Sequence, residues 1–198
     1  MRKSLCLFYI QRRRFSINLR NLNYYFIPLK ADYEIKPFKC KDDDLNGFLF
    51  EDARKYLTDL MAVTYLWEDL SNAKTVAYFS LLNDKITFDP EQRSIWNRLS
   101  RRVANPKRRK DYPAVKIGRL AVSEEYAGQG IGRDIIRLIK YTFTHGNRTG
   151  CRFITVDAYQ DAVGFYQQCG FDFLSAKDEK DKTRSMYYDL KRFSDNEE

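Results

Sequence analysis

The residues with the clearest chemical potential are three alternate glycines in the segment AGQGIGR. Gly128, Gly130 and Gly132 lie between an apolar segment and a periodic, amphipathic one. Glycines let a ligand approach the backbone closely, and the first amides of a helix, together with its dipole, favour a negative charge. The sequence therefore predicts a phosphate-binding loop over Gly128 to Arg133, where the arginine can add a charge-assisted bond.

Two well-known phosphate loops fit this segment poorly. A P-loop needs GxxxxGK followed by Ser or Thr, and no such pair follows these glycines. A dinucleotide loop needs GxGxxG directly after its strand; Gly128 and Gly130 fit, but Arg133 occupies the third position. The loop also begins about five residues past the predicted strand, although Asp157 stands where a ribose-binding acid would. The dinucleotide interpretation is therefore the weaker alternative.

The elements that must position the loop are a strand and a helix. VKIGRLAV predicts a strand over residues 114–122, and RDIIRLIKYTFTH continues a helix over residues 129–145. The spacing predicts that the helix buries Ile131, Ile135, Ile136, Ile139 and Phe143. It predicts exposed side chains at Arg133, Arg137 and Lys140.

The rest of the chain alternates strand and helix signals. An extended segment over 24–38 precedes a helix near 45–57, and segments 61–69 and 75–88 form a predicted hairpin. A short helix starts at Pro90; after the central unit come a buried strand over 151–159, a helix ending at Gly170, and an antiparallel pair over 171–178 and 184–193. We predict an α+β fold: a single mixed, mostly antiparallel sheet with helices on both faces and a central parallel strand pair.

Composition supports one domain flanked by charged ends. The chain has 198 residues, of which 43% are hydrophobic and 15% aromatic, enough for a core. We expect a basic tail over 1–23, a domain over 24–194 and an acidic end over 195–198. Residues 1–30 contain seven Lys or Arg and no acid, so the net charge of +8 falls to about +1 for the remainder.

One basic cluster lies inside the predicted domain. It comprises Arg98, Arg101, Arg102, Lys107, Arg108, Arg109 and Lys110. Such a run is either a solvated loop or a platform for a polyanion such as RNA, and no interleaved aromatic residues decide between the two.

Several classes of site and location are disfavoured. Four cysteines without CxxC spacing and one histidine predict no metal site and a reducing compartment. No apolar run is long enough to span a membrane. The N-terminal apolar run imitates a signal peptide but is too short, so we expect a cytoplasmic protein.

The segments RLAVSEEYAGQGIGRDII and VDAYQDAVGFYQQCGF resemble the GCN5-related N-acetyltransferase (GNAT) family over residues 114–174. The family's loop is (Gln/Arg)-x-x-Gly-x-(Gly/Ala), and Gly130 and Gly132 match its two glycines. Ala127 replaces the opening Gln or Arg, and Tyr159 replaces a frequent asparagine. The segments FKCKDDDLNGFL, VTYLWED and TVAYFSLL, together with GRLAV, resemble the toxin branch of the family, which acetylates aminoacyl-tRNA.

The resemblance implies a fold with a splayed parallel pair, acetyl-CoA as donor and no metal. It implies that backbone groups of Leu120, Ala121 and Val122 align the pantetheine arm as an added strand would. It implies that the pyrophosphate is held by Gly128, Gln129, Gly130, Ile131, Gly132 and Arg133. An amine acceptor follows, either aminoacyl-tRNA bound through the basic cluster, or a small-molecule or protein amine. An antitoxin and a homodimer are further implied partners. A non-catalytic CoA- or nucleotide-binding module is the rival function.

By the same resemblance, Tyr166 is the candidate general acid. A thiol titrates near pKa ~8.5 and a tyrosine near ~10, so full proton transfer to the departing thiolate is uphill by roughly 2 kcal/mol. A hydrogen bond that strengthens as the thiolate forms is therefore the expected role. The general base is unassigned: Glu124 and Glu125 should face solvent, while Arg119 and Asp157 are candidates to line the acceptor cleft.

Overall fold

The computed structural model describes residues 24–69, 71–101, 103, 110–145 and 149–194. Within them one sheet of seven strands has the order β1-β2-β3-β4-β5-β7-β6. The strands are β1 Tyr24–Pro28, β2 Val63–Asp69, β3 Lys74–Thr87, β4 Asp111–Val122, β5 Phe153–Tyr159, β6 Asp172–Phe173 and β7 Thr183–Asp189. Among these strands only β4 and β5 pair in parallel. The predicted α+β class, mixed sheet and central parallel pair are confirmed. The predicted tail (1–23) and acidic end (195–198) lie outside the described residues.

Helices cover both faces of the sheet, as predicted. They are α1 Asp43–Gly47, α2 Ala53–Thr58, α3 Arg93–Ser100, α4 Ile131–Thr144, α5 Val163–Gln168 and α6 Lys191–Ser194. Asp42 caps α1 by accepting hydrogen bonds from the amides of Asp44 and Leu45. A π-helical segment, Phe48–Asp52, joins α1 to α2. The predicted regular helix near 45–57 is therefore one continuous but irregular helical segment.

The two faces bury different clusters. The α4 face packs α4 and α5 on the sheet, and its core includes Ile117, Ile135, Ile139, Val156 and Tyr166. The opposite side, here called the α3 face, carries one cluster under α1 and α2 and another under α3. Successive side chains along a strand point to opposite faces, so neighbouring residues of one strand join different clusters.

The parallel pair separates halfway along β4. Registers run from Ala114 opposite Phe153 to Ile117 opposite Val156, and the pairing ends there. β4 continues alongside β3 as far as Val122, whereas β5 continues alongside β7 as far as Tyr159. Each strand stays with its antiparallel neighbour, which opens a gap between residues 118–122 of β4 and the end of β5.

A β-bulge lies where the gap begins. Ser80 pairs with Arg119 while Leu81 pairs with Ile117, which leaves Gly118 as the extra residue. A Cβ at Gly118 would lie 2.9 Å from Leu82 Cδ2 and 3.1 Å from Ser80 Oγ. A larger residue here would have to displace the Leu82 and Ser80 side chains, and the bulge increases the local twist that turns β4 away from β5.

Two predictions were wrong: the exposure of one lysine and the end of the last strand. Lys140 was predicted to be exposed, but it is only 8% exposed. Its Nζ donates to the Cys169 carbonyl at 2.6 Å and lies 3.5 Å from the centre of the Tyr188 ring. The last strand was predicted to reach residue 193 but ends at Asp189, whose carboxylate accepts the Lys191 amide and starts α6.

Burial makes Lys140 a pH-dependent element of stability. Burial, reinforced by Arg137 and Arg192, lowers the pKa of Lys140 from 10.5 to about 8. Between those values the unfolded chain binds more protons at this site than the folded one, so the contribution to stability rises with pH. We expect the unfolding free energy of the wild type, relative to Lys140→Met, to increase by about 2 kcal/mol between pH 7.5 and 10.

Urea unfolding of both proteins at a series of pH values measures this difference, because other titrating groups cancel in the comparison. Wild-type and Lys140→Met stability curves that stay parallel between pH 7.5 and 10 would show that the Lys140 ammonium is not penalised by burial.

Candidate active site

The glycine loop lies between β4 and α4, where the sequence placed it. After Val122 the chain forms a short 3-10 turn, Glu124–Tyr126, and α4 begins at Ile131 with Gly130 as its N-cap. Gly128 and Gly130 have φ of 76° and 84°, the left-handed region that side chains rarely adopt. A Cβ on either would meet nothing within 4 Å, so the space in front of the loop is open.

The N-terminus of α4 offers donors without a side-chain cap. The first helical hydrogen bond runs from the Asp134 amide to the Gly130 carbonyl, and no side chain caps the helix. The amides of Ile131, Gly132 and Arg133 therefore precede the first intrahelical donor and point out of the helix end. Their direction and the helix dipole suit an anion such as a pyrophosphate.

The edge of β4 that faces the gap is the second component. Leu120, Ala121 and Val122 pair with β3 on one side. Among the described residues no strand pairs with their other side, because the ladder to β5 ends at Ile117. Their side chains pack into the two cores, so what they present to the gap is main chain. An extended ligand arm can add to this edge as a strand would.

The helix α5 is docked directly onto the loop. A Cβ at Gly132 would lie 3.1 Å from the Phe165 ring, so this glycine permits the close approach of the two helices. Arg133 donates to Gln168 Oε1 at 3.0 Å. Phe165 and Gln168 lie on either side of Tyr166 in α5, so these two contacts hold the helix that carries Tyr166 beside the loop.

Tyr166 is a buried phenol in an aromatic setting. Its side chain is 6% exposed, and its ring makes edge contacts with Phe165 and Phe171 at 5.1 and 5.4 Å. Burial, and to a lesser extent Cys169, raises the pKa of Tyr166, so the hydroxyl stays protonated at neutral pH. Within the part of the chain that the structure describes, no protein group hydrogen-bonds this hydroxyl. The hydroxyl therefore keeps its capacity to donate a hydrogen bond to another group.

The acidic residues after β4 lie on the surface. Glu124 and Glu125 are exposed, as predicted, and Glu125 forms an ion pair with Lys74 at 2.7 Å.

Polar residues on the α3 face lie at the mouth of the gap. Asp157 forms an ion pair with Lys116 and accepts a hydrogen bond from Ser185 Oγ at 3.2 Å. Arg119 donates to the Gly118 carbonyl at 2.8 Å, and its guanidinium lies 5.1 Å from the centre of the Phe48 ring. The two residues expected to line an acceptor cleft thus belong to the two strands that separate.

Sequence reasoning missed Gly118, Lys116 and Ser185. A single glycine inside an apolar strand is a signal for a bulge, and Gly118 could have been recognised from it. Lys116 and Ser185 gave no such signal, because they join Asp157 through pairing of distant strands. Among the described residues no group of three or more His, Cys, Asp or Glu could hold a metal ion, and no helix is long and apolar enough to cross a membrane.

Comparison with known proteins agrees with the fold and the loop. Residues 101–172 match the family model described as the acetyltransferase (GNAT) domain. A mutant of the toxin AtaT, bound to the C-terminus of the antitoxin AtaR and acetyl-CoA, has 18% identity and a TM-score of 0.67 over 87% of this chain and 96% of AtaT. AtaT complexed with acetyl-methionyl-tRNAfMet has 18% identity and a TM-score of 0.68 over 86% and 97%.

A third similar structure is the KacTA–DNA complex, with 20% identity and a TM-score of 0.61 over 87% of this chain and 96% of the other. The likeness covers 86–87% of this chain and 96–97% of the other chains. The chain therefore has the fold of these GNAT proteins, and residues 101–172 match the GNAT domain model.

Proposed function

We propose that this protein transfers the acetyl group of acetyl-CoA to the α-amino group of an aminoacyl-tRNA. The observation that carries the proposal is the gap between β4 and β5, which opens beside an uncapped helix N-terminus and next to the buried phenol of Tyr166. These three features supply an anion site, an extended edge and a proton donor in one place. That combination suits a long phosphorylated thioester.

The donor would bind in two parts. The backbone amides from Gly128 to Arg133 would hold its pyrophosphate, with Arg133 able to leave Gln168 and add a charge-assisted bond. The main chain of Leu120 to Val122 would align the pantetheine arm along the open edge of β4. The thioester would then lie in the gap, between the two faces of the sheet.

The chemistry requires one new bond and one broken bond. The neutral amine nitrogen attacks the thioester carbonyl carbon, the C–N bond forms, and the C–S bond breaks with its electron pair on sulfur. The Tyr166 hydroxyl donates a hydrogen bond to the departing sulfur that strengthens as the thiolate forms, while the nitrogen loses its extra proton to water. The CoA thiolate takes up a proton from water, so the products are an N-acetylated aminoacyl ester and free CoA.

Two features favour aminoacyl-tRNA as the acceptor. The amine of an aminoacyl ester is unusually acidic, so it loses its proton near neutral pH and needs no dedicated base. The similar toxin AtaT was solved with acetyl-methionyl-tRNA. Arg98 in the last turn of α3, Arg101 just after it and Lys110 before β4 are exposed and would be available to a polyanion. Arg102, Lys107, Arg108 and Arg109 lie outside the described residues. By the same likeness, we propose an antitoxin partner whose C-terminal segment binds this chain.

Expression in a bacterial host tests the proposal. We expect growth arrest together with N-acetylated aminoacyl-tRNA, and we expect both to be lost with Tyr166→Phe. Normal growth at high expression, with CoA released only when a small or protein amine is supplied, would show that this amine is the acceptor and that aminoacyl-tRNA is not. CoA release by wild type no faster than by Tyr166→Phe would instead indicate a binding module.

A further inference from the structure

We propose that Asp157 is the residue that positions the acceptor amine at the mouth of the gap on the α3 face. This proposal rests on the proposed function, because it assigns the subsite where the amine of that reaction is held. It gives a role to a carboxylate that lies beside the point where β4 and β5 separate.

The first step is where Asp157 points. Along β5, Ile154, Val156 and Ala158 are buried in the core of the α4 face, so Asp157 lies between two residues of that core and projects to the opposite side. Its partner Lys116 alternates in the same way between Val115 and Ile117. Both charged groups therefore lie on the α3 face, across the sheet from Tyr166.

The second step is its place along the strand. The parallel ladder ends at Val156 opposite Ile117, and Asp157 is the next residue of β5. On β5 it is therefore the first side chain beyond the junction, at the narrow end of the gap. A thioester whose arm follows Leu120 to Val122 reaches this junction from the other side. The leaving sulfur can then face Tyr166 while the attacking amine arrives from the α3 face.

The third step is the remaining capacity of the carboxylate. The Asp157 side chain is 45% exposed, and it contacts Lys116 through one oxygen and Ser185 through the other. A carboxylate can accept about four hydrogen bonds, so two contacts leave room for further donors. An acceptor ammonium approaching from solvent would find a negative charge there. After losing a proton to water, the neutral amine can still donate an N–H to Asp157, which directs its lone pair toward the thioester carbon.

A purely structural role is the competing explanation. The ion pair joins β4 to β5, and Ser185 extends the link to β7. If the ion pair only held the strands together, then removing Lys116 and removing Asp157 would have the same effect on the acceptor KM. If Asp157 positions the amine, then removing Lys116 frees the carboxylate and leaves acceptor binding intact.

The test compares Asp157→Asn, Lys116→Met and the double variant with the wild type. Acetyl transfer is measured against the concentration of aminoacyl-tRNA, and acetyl-CoA affinity is measured separately by calorimetry. We expect Asp157→Asn to raise the acceptor KM about tenfold or more, with acetyl-CoA affinity unchanged. Lys116→Met should leave the acceptor KM equal to or below that of the wild type. Asp157→Glu should restore part of the loss.

Equal increases in KM for Asp157→Asn and Lys116→Met, with the double variant no worse than either, would overturn the proposal in favour of a structural tie. An unchanged KM for Asp157→Asn would overturn it outright. Failure of the proposed function gives a different result, since the wild type itself would then leave aminoacyl-tRNA unmodified. If wild type acetylates another amine instead, the same comparison on that amine decides the role of Asp157.

Discussion

Replacing Tyr166 by phenylalanine is expected to lower kcat about 100-fold or more while leaving acetyl-CoA affinity unchanged. The substitution removes one oxygen and keeps the ring that packs against Phe165 and Phe171. Because burial raises the pKa of Tyr166, the wild-type hydroxyl remains a donor at every pH where the assay runs. The expected fall in kcat is therefore caused by the loss of the hydroxyl that donates to the leaving sulfur.

The raised pKa also defines what kind of acid Tyr166 is. Complete transfer to a free thiolate would be more uphill than the ~2 kcal/mol expected for an unperturbed tyrosine. The hydroxyl must therefore act mainly as a hydrogen-bond donor, whose bond to the sulfur strengthens as negative charge builds there while the C–S bond breaks. This predicts a fall in kcat without a matching change in KM for either substrate.

Tyr188→Phe is the matched control for Tyr166→Phe. Tyr188 is a second buried tyrosine of the same core, 7% exposed, and its ring carries the contact with Lys140 that phenylalanine retains. We expect kcat for this variant to stay within a few-fold of the wild type. A loss in Tyr188→Phe as large as that in Tyr166→Phe would attribute both effects to packing and not to proton donation.

The second large effect is expected at Gly130. Gly130→Asp should weaken acetyl-CoA binding about 5- to 150-fold more than Gly130→Asn does. Both side chains have nearly the same shape, and both residue types tolerate the left-handed conformation at φ 84° better than other side chains. They differ in charge. A carboxylate about 5 Å from a pyrophosphate costs about 1–3 kcal/mol, depending on how well water screens it.

Salt dependence separates this repulsion from a shape effect. Raising the ionic strength from 0.1 to 1 M shortens the screening length from about 10 to about 3 Å, so the difference between the two variants should shrink. Calorimetric titration with acetyl-CoA measures both affinities. Equal affinities for Gly130→Asp and Gly130→Asn would show that no anion is held at the end of α4. Gly47→Ala serves as a control variant for a glycine substitution outside the loop. Gly47 has helical angles and open space around it, so acetyl-CoA affinity should be unchanged.

The local parts of this fold were readable from the sequence. The alternation in β2 and β3 and the periodicity of α4 are properties of neighbouring residues, and β2 to β5 and α4 lie within a few residues of the predicted bounds. The extended segment predicted over 24–38 is a strand only over Tyr24–Pro28, and the strand predicted over 171–178 is reduced to Asp172–Phe173. The loop glycines were also predictable, although for two different reasons. Gly128 and Gly130 supply positive φ, whereas Gly132 supplies room for Phe165. The sequence predicted a loop and gave no means of separating these roles.

What sequence reasoning missed depends on contacts between distant segments. Lys140 lies on a charged position of α4, yet the Cys169 carbonyl and the Tyr188 ring cover it, and both come from later elements. The point where β4 and β5 part follows from register, which depends on how β3 and β7 hold their neighbours. The cluster of Lys116, Asp157 and Ser185 exists only once three strands are paired.

The most direct test of the central claim is the product itself. Purified protein is incubated with acetyl-CoA and a pool of charged tRNA; the tRNA is digested with nuclease, and the released aminoacyl-adenosines are identified by mass spectrometry while free CoA is measured. We predict N-acetyl-aminoacyl-adenosine in amounts equal to the CoA released with wild type, and neither above background with Tyr166→Phe. CoA release without any N-acetylated aminoacyl-adenosine, or equal product from both proteins, would contradict the account.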